Sequence, residues 1–414
     1  MNKEILKKSL VCINCSNAPC KFGCPLGNDI PKFIKYVKVE NYQKAYFELS
    51  KTTLLPSICG RICPKDIQCE RMCFKVLNKN HVKIGDIESF IGDYARKNNL
   101  KIYSPKKTKY NVLVIGSGPS SLSCAGFLRR NGIGVTIIEK HDYLGGLLVH
   151  GIPEFRLSKK LIKEVIDNII NLGIDVIYNK EFGVDFKLDD VINKYDAIYI
   201  GCGANISNKL NIEGENLTNV LGGNELLESN SYSDIKNKNV IIIGSGNTAM
   251  DVARTLKRQN NKVTIIYRKD ESHMSASPTE YNDTKKDDIK FIFNTNILKI
   301  IGNDKVEKIE VIKTKFIKDQ SGEEKLINID NSNYFIKCDY LIKAIGSHAD
   351  LKITNNINLD LDNNGLIDID GKGQTSNEKV FAGGDIAGVK RTVAWASRSG
   401  RNAAFKIIEF LKES

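Results

Sequence analysis

The chain has 414 residues, 41% hydrophobic and 27% charged, which is enough for two to four domains and a large buried core. No apolar run reaches transmembrane length, and the N-terminus MNKEILKKSL is charged without an apolar segment, so neither a membrane span nor a secretory signal is expected. The formal net charge is +12, but the lysines are scattered among Asn and Ile with no basic block flanked by aromatics, so they read as solvated faces and not as a nucleic-acid surface.

Eight of the eleven cysteines lie in the first hundred residues. Without an export signal they point to the cytoplasm, and to metal or redox chemistry rather than disulfides. The first group is Cys12-x2-Cys15-x4-Cys20-x3-Cys24-Pro25, and the second is Cys59-x3-Cys63-Pro64-x5-Cys69-x3-Cys73. Thiolates grouped this tightly and in duplicate suit soft metal centres. A Cys-Pro closing a four-cysteine run is a bacterial ferredoxin habit, in which the last cysteine serves the other cluster. Structural zinc is the rival reading, but zinc knuckles favour paired CxxC spacings and only Cys12 and Cys15 make one. Between the groups, residues 31–49 and 87–95 have apolar residues at helical spacing, so a small helical domain built around its metals is expected. Residues 98–110, polar with one proline, read as a linker.

Residues 111–140, NVLVIGSGPSSLSCAGFLRRNGIGVTIIEK, organise the rest. A β-branched strand over 111–115 runs into Gly116-Ser117-Gly118, where a Cβ would block both the turn and the approach of a phosphate. From Pro119 and Ser120 the pattern is helical, with N-terminal amides and dipole aimed at the turn. A second strand over 135–138 ends in Glu139, in the place where a Rossmann fold sets its ribose-binding acid, with Lys140 beside it. The third glycine of the motif is replaced by Ser121. A lone motif of this kind is weak, but residues 239–268, NVIIIGSGNTAMDVARTLKRQNNKVTIIYR, repeat it without a gap at an offset of 128 residues (Asn111 to Asn239). Gly244, Gly246 and Ala249 fall on Gly116, Gly118 and Ser121, with Asn247 and Thr248 opening the second helix.

The copies differ where the second strand ends. Glu139 accepts from both ribose hydroxyls and suits FAD or NAD, whereas Arg268 and Lys269 suit the 2′-phosphate of NADPH. The first site is therefore read as FAD and the second as NADPH. Downstream of the first copy, Gly145-Gly146-Leu147 would let the backbone lie against a flat ring, residues 158–172 read as an amphipathic helix, and residues 195–200 read as a strand into a glycine turn. Residues 289–293 and 308–314 read as strands, and 339–346 as a crossing back to the first domain. In the tail, Gly384-Asp385 follows a strand and precedes a helix over 392–404, and can hold a hydroxyl chain at a helix N-terminus.

The whole chain resembles the small (β) subunit of glutamate synthase and its relatives. The motifs that carry this are the eight cysteines, CGRICPKDIQCE at 59–70, IGSGPSSLS, GGLLVHGIPEFRL, IGSGNTAMDVART and VFAGGDIAG. The relatives include the electron-input part of dihydropyrimidine dehydrogenase and the large subunit of a bifurcating ferredoxin:NADP oxidoreductase. The tail KRTVAWASRSGRNAA looks closest to the NAD-dependent input subunit of bacterial dihydropyrimidine dehydrogenase.

The resemblance implies an α/β fold of the pyridine nucleotide-disulfide oxidoreductase type, with two Rossmann-like domains behind an α-helical double [4Fe–4S] domain. Expected boundaries are 1–105 for the iron–sulfur domain, 106–235 plus 346–414 for FAD, and 236–345 for NAD(P)H. One cluster would use Cys12, Cys15, Cys20 and Cys73. The other would use Cys24, Cys63, Cys69 and a non-cysteine ligand that falls on Glu88. Counting thiols alone gives Cys59 that place, so the two compete. Arg156 matches a flavin contact and Leu147 lies beside the ring. Relatives often carry a further arginine where this chain has Ser275, so NADH use stays open.

The expected activity is electron input: hydride from NAD(P)H to FAD, then single electrons through the clusters to a partner. That partner would be a glutamate synthase large subunit, a dihydropyrimidine dehydrogenase catalytic subunit, or a ferredoxin-like acceptor, with no nucleic acid and no membrane. Docking to an acidic electron-transfer partner is a second reading of the +12 charge. A thioredoxin-reductase-like enzyme needs a redox CxxC in the second domain, where NTAMDV stands instead. A metal-stabilised binding module with vestigial nucleotide sites is the non-enzyme alternative. His81, His141, His150, His273 and His348 are scattered and form no catalytic triad.

Overall fold

A computed structural model describes residues 2–78, 80–318, 323–355 and 357–413. The chain divides into two compact units, Met1–Ala204 with Ala349–Ser414, and Asn205–His348. None of the described helices is long and apolar enough to cross a membrane.

The first unit opens with short helices: Asn2–Leu10, Pro19–Gly23, Ile30–Lys38, Tyr42–Leu49, Pro56–Ile62 and Ile84–Lys97. The apolar pattern over 31–49 is two helices and not one. Glu40 adopts φ +54°, and the Asn41 side chain then caps the new helix by accepting from the Lys44 amide at 3.1 Å. Phe33, Ile34, Val37, Ile58, Ile87 and Ile91 are fully buried and form the centre of this layer. Residues 98–110 form no regular element, but they are tied down. Ser104 Oγ donates to the Arg129 and Leu172 carbonyls at 3.2 and 3.1 Å, and Arg129 Nη2 donates to the Pro105 carbonyl at 2.7 Å.

Behind this layer lies a five-stranded parallel sheet, in the order Val380–Ala382, Ala197–Ile200, Asn111–Ile115, Gly134–Ile138, Asp175–Ile177. Its central strand is buried from Val112 to Ile115, as parallel strands covered on both faces are. The helix Pro119–Arg130 returns over the sheet and packs along the C-terminal helix Val393–Glu413. They meet backbone to backbone, since a Cβ on Gly400 would overlap the Ser120 carbonyl. This last helix runs nine residues past the predicted 392–404, because Ile407 and Leu411 continue its buried stripe.

The second unit has its own five-stranded parallel sheet, in the order Val220–Gly222, Tyr340–Lys343, Asn239–Ile243, Lys262–Ile266, Lys290–Ile292. The antiparallel strands Thr295–Ile301, Lys308–Lys318, Glu324–Asn328 and Tyr334–Lys337 form a separate sheet. The sequence repeat is a structural repeat. Asn111 to Ile115 pair with Gly134 to Ile138, and Asn239 to Ile243 pair with Lys262 to Ile266, each pair 128 residues on from its counterpart.

Two sequence expectations are corrected here. Residues 339–346 do not cross back as a whole: Tyr340–Lys343 is an inner strand of the second sheet, bonded to Val220–Gly222 on one side and Asn239–Ile243 on the other. Residues 205–235, expected with the first Rossmann domain, lie in the second unit, because Val220–Gly222 is that sheet's edge and Gly223–Ser229 packs on Asn247–Lys257.

Candidate functional site

The cysteines separate into two sets. Cys12, Cys15, Cys20 and Cys73 line one cavity together with Ile13, Phe74, Val82 and Ile84. Cys12, Cys15 and Cys20 surround the helix start at Pro19, and Cys73 arrives from the far end of the second cysteine group. Lys38 Nζ donates to the Cys12 carbonyl at 2.5 Å and fixes the loop. Burial raises the Cys12 thiol, and burial with the neighbouring Cys12 and Cys73 raises Cys20 to about 12.

The second set is Cys24, Cys63, Cys69 and Glu88, which act on one another electrostatically. A tight helix crossing brings them together. The helices Pro56–Ile62 and Ile84–Lys97 meet at Gly60 and Gly85, and a Cβ on Gly60 would stand 2.5 Å from the Gly85 carbonyl oxygen. That closeness sets Cys63, which ends one helix, against Glu88 on the other. Glu70 holds the intervening loop by accepting from the Gly85 amide at 3.0 Å, with His81 Nε2 at 3.3 Å from its other oxygen. Burial raises Cys24 to about 12, and burial raises Cys69 well above the ordinary thiol value. Burial also pushes the Glu88 carboxyl up to about 8, against the pull of Lys65 and of the Asn28 amide, which donates at 3.2 Å. Cys59 lies behind Cys63 and raises it by hydrogen bonding. Of the two competitors for the fourth position, Glu88 is the one that acts on all three thiols.

Buried thiols and a carboxylate crowded in this way resist ionisation, and a cationic iron core reverses that by exchanging protons for metal. Both donor sets therefore fit a thiolate-held cluster. All eleven cysteines are free thiols.

The first dinucleotide turn sits between the strand Asn111–Ile115 and the helix Pro119–Arg130. Gly116 adopts φ +88°, and a Cβ there would press on the Gly201 carbonyl at 2.8 Å. A Cβ on Gly118 would meet nothing within 4 Å, so space remains over the helix start, which no side chain caps. Pro119 and Ser120 open that helix, and Ser120 Oγ lies 2.5 Å from Tyr199 Oη and 3.0 Å from Ser399 Oγ. Glu139 is buried at the strand end, accepting from Ser117 Oγ at 2.5 Å and from the His141 amide at 3.1 Å. Lys140 is exposed next to it. Gly146 folds back over the turn at φ +51°, where a Cβ would come within 3.0 Å of Gly118 Cα, and Leu147 begins a short helix. Gly384 packs on Ser120, its amide donating to Ser399 Oγ at 2.8 Å. Asp385 follows in a single 3-10 turn, its carboxyl raised by burial against the pull of Arg391. Gly116, Gly118, Pro119, Ser120, Glu139, Gly146, Gly384 and Asp385 thus gather around one turn. Arg156 is half-buried just before the helix Lys159–Ile170.

The second turn repeats this plan. Gly244 has φ +150° and Gly246 precedes the helix Asn247–Lys257, again without a side-chain cap. Asn247 reaches forward to accept from the Ser277 amide at 2.9 Å, and Ser245 Oγ lies 3.0 Å from Ser275 Oγ, so the 275–277 loop is stitched to the glycine turn. Thr248 follows in the first turn, and Ala249 is fully buried where the helix meets its sheet. Arg268 is exposed, and its carbonyl accepts from Thr314 Oγ1 at 2.6 Å. Lys269 Nζ stands 5.8 Å from the Phe316 ring centroid, and the His273 ring stacks on the same phenylalanine at 4.7 Å.

Several supporting residues carry no motif. Asn28 positions Glu88 while accepting from Thr52 Oγ1 at 2.6 Å, and Tyr199 and Ser399 tie the first helix to the Gly384 turn. Glu70, the last residue of CGRICPKDIQCE, and Ser399, within KRTVAWASRSGRNAA, lie in segments that the sequence singled out.

Known proteins share these features. The family described as pyridine nucleotide-disulphide oxidoreductase matches residues 110–400, and that described as dihydropyrimidine dehydrogenase domain II, 4Fe-4S cluster, matches residues 1–100. The glutamate synthase [NADPH] small chain of Escherichia coli is 32% identical, across 97% of this chain and 90% of that one. The NADPH-Fe(3+) oxidoreductase subunit beta of Geobacter sulfurreducens is 29% identical, across 96% of this chain and 64% of that one. Among solved structures, Mycobacterium tuberculosis FprA in complex with NADPH superposes with a TM-score of 0.64 at 17% identity, covering 74% of this chain and 85% of FprA. Thioredoxin reductase of T. acidophilum gives 0.56 at 22% identity, covering 74% and 99%. At these identities the structural likenesses speak for the fold alone. With its iron–sulfur domain joined to two Rossmann-like units, the chain belongs to the pyridine nucleotide-disulphide oxidoreductase family and is an oxidoreductase of the glutamate synthase small-chain type.

Proposed function

We propose that the chain is a cytoplasmic electron-input subunit, with FAD held at the Gly116 turn, NADPH at the Gly244 turn, and two [4Fe–4S] clusters in the helical domain. The observation that carries this is the sorting of ligands: Cys12, Cys15, Cys20 and Cys73 line one cavity, and Cys24, Cys63 and Cys69 form a separate buried group around Glu88. When bound, the flavin accepts a hydride from the nicotinamide and gives up electrons singly, which lets a two-electron donor feed one-electron clusters.

The protein's part is to bind, orient and insulate. The open space over Gly118 and the uncapped helix behind it receive a pyrophosphate. Glu139 takes the ribose hydroxyls, and Asp385 takes a hydroxyl of the sugar-like chain. Leu147 and Arg156 face the ring system, and Lys140 stands at the rim of the adenosine site. In the second unit Arg268 and Lys269 receive the 2′-phosphate, which supports NADPH over NADH. Three thiolates and the Glu88 carboxylate complete the second cluster, with Cys59 as a spare thiol. The relative from Escherichia coli is the small chain of a larger enzyme, which supports a separate partner subunit holding the final substrate.

Anaerobic reconstitution tests this reading. Two clusters require about eight iron and eight sulfide atoms per chain with one FAD. The loaded protein should reduce an artificial dye with NADPH. Zinc in place of iron and sulfide, or a colourless chain that never reduces a dye with either nicotinamide, would overturn it.

A further inference from the structure

The C-terminal helix Val393–Glu413 touches both halves of the proposed electron path within the first unit. On one side Ser399 Oγ accepts from the Gly384 amide at 2.8 Å, at the turn assigned to the flavin. On the other, Arg398 Nη1 donates to the Pro25 carbonyl at 3.0 Å, and Arg401 Nη1 donates to the Leu26 and Thr52 carbonyls at 2.8 and 2.7 Å. Pro25 and Leu26 directly follow Cys24.

These two guanidinium groups lack a counter-ion. Their hydrogen bonds go to main-chain carbonyls, and neither pairs with a carboxylate among the described residues. Arg398 also lies over the Trp395 ring, 5.2 Å from its centroid, and that ring faces a second cation, Lys390, at the same distance. Burial and Arg398 together hold Arg401 below the usual arginine value, while Cys24 pulls it back. Both arginines are partly buried, and withdrawing charge from water without an opposing charge is costly. The negative partner in reach is the Cys24 site, where three thiolates and a carboxylate outweigh the positive iron–sulfide core. Adding an electron there makes the site more negative, and nearby fixed cations favour that state.

We infer that Arg398 and Arg401 are positioning and tuning residues for the cluster held by Cys24, Cys63, Cys69 and Glu88: they pin its Cys24 loop to the helix that also holds the flavin turn, and they raise its reduction potential relative to the cluster held by Cys12, Cys15, Cys20 and Cys73. This rests on the cluster assignment proposed above. It adds a reason for the RSGR segment that no cysteine count supplies.

The test is a redox titration of the loaded full chain, followed by electron paramagnetic resonance, for the wild type, Arg401→Gln, Arg398→Gln and Arg401→Lys. The glutamines keep a donor and remove the charge, and the lysine keeps the charge. Each glutamine variant should lower the reduced-to-oxidised ratio of one cluster about tenfold at a fixed potential, equivalent to about 59 mV for a one-electron couple. The other cluster and the flavin should stay in place, and Arg401→Lys should titrate with the wild type. A merely structural role would alter the melting temperature and leave both cluster steps unmoved. Loaded glutamine variants with unshifted clusters, or with both clusters shifted equally, would overturn the inference and leave the cluster assignment standing. A wild type that shows no reducible cluster would overturn both.

Discussion

Glu88 offers a quantitative test of the second ligand set. Its side chain is 6% exposed and receives one hydrogen bond, from Asn28. Burial pushes its carboxyl from the ordinary 4.5 up to about 8. In chain stripped of metal and kept reduced, the folded state therefore holds a proton that the unfolded state has already released. Between pH 4.5 and 8 the folded state binds more protons, so stability falls as pH rises. The contribution is intact below the unfolded value and gone above the folded one. The shift corresponds to a ceiling on the order of 5 kcal/mol, and local relaxation should leave roughly half of it. Carboxylates held low by partners, such as Asp270 at about 2, lose their effect below this window, and comparison with Glu88→Gln subtracts the background from the histidines. Urea unfolding of the stripped protein at pH 5, 6.5 and 8 should show a midpoint that drops more steeply with pH in the wild type than in Glu88→Gln. Iron-loaded protein should lack the extra drop, because a ligating carboxylate is already ionised. Equal slopes in stripped wild type and stripped Glu88→Gln would refute the reasoning.

Other consequences are as direct. Gly400→Ala should lower stability by about 1–3 kcal/mol, because its Cβ overlaps the Ser120 backbone and neither helix can yield locally; thermal unfolding checks it, and an unchanged melting point would contradict the packing. Gly118→Val should do the opposite: the flavin-free chain should melt within about 0.5 kcal/mol of wild type, since its new Cβ meets no protein atom, while FAD binding is lost. Fluorescence titration with FAD reads this, and full retention of flavin would remove the phosphate from that turn. Arg268→Ala should raise the KM for NADPH roughly tenfold or more, from loss of a charge-assisted contact of about 1.5–3 kcal/mol, with NADH use little changed. An equal loss for both nicotinamides would show that Arg268 does not read the 2′-phosphate.

Local signals carried most of the fold. The repeat at an offset of 128 residues is legible because parallel βαβ units need the same strand, turn and helix chemistry each time, and the register of Asn111–Ile115 matches that of Asn239–Ile243. Tyr340–Lys343 was harder. Its apolar run shows a buried strand, but which sheet it enters depends on pairing with Val220–Gly222, more than a hundred residues away. The break at Glu40 and Asn41 was visible only as a capping asparagine inside an otherwise continuous helical pattern. At the metal sites, counting thiols offered Cys59, whereas the family resemblance offered Glu88. The close Gly60–Gly85 crossing accompanies the electrostatic influence of Glu88 on Cys24, Cys63 and Cys69, which supports the proposed choice of Glu88, and no local pattern encodes that. Arg398, Ser399 and Arg401 work across more than 370 residues for the two arginines, so their roles appear only once the last helix is packed.

In the proposed function, one chain turns a two-electron donor into single electrons. Anaerobic titration of the loaded protein with NADPH, followed by flavin absorbance and electron paramagnetic resonance, tests it most directly. The flavin stores two electrons and each cluster one, so full reduction should consume about two equivalents of NADPH and bring up cluster signals as the flavin bleaches. Saturation at one equivalent with no cluster signal would mean that electrons stop at the flavin, and would contradict the account.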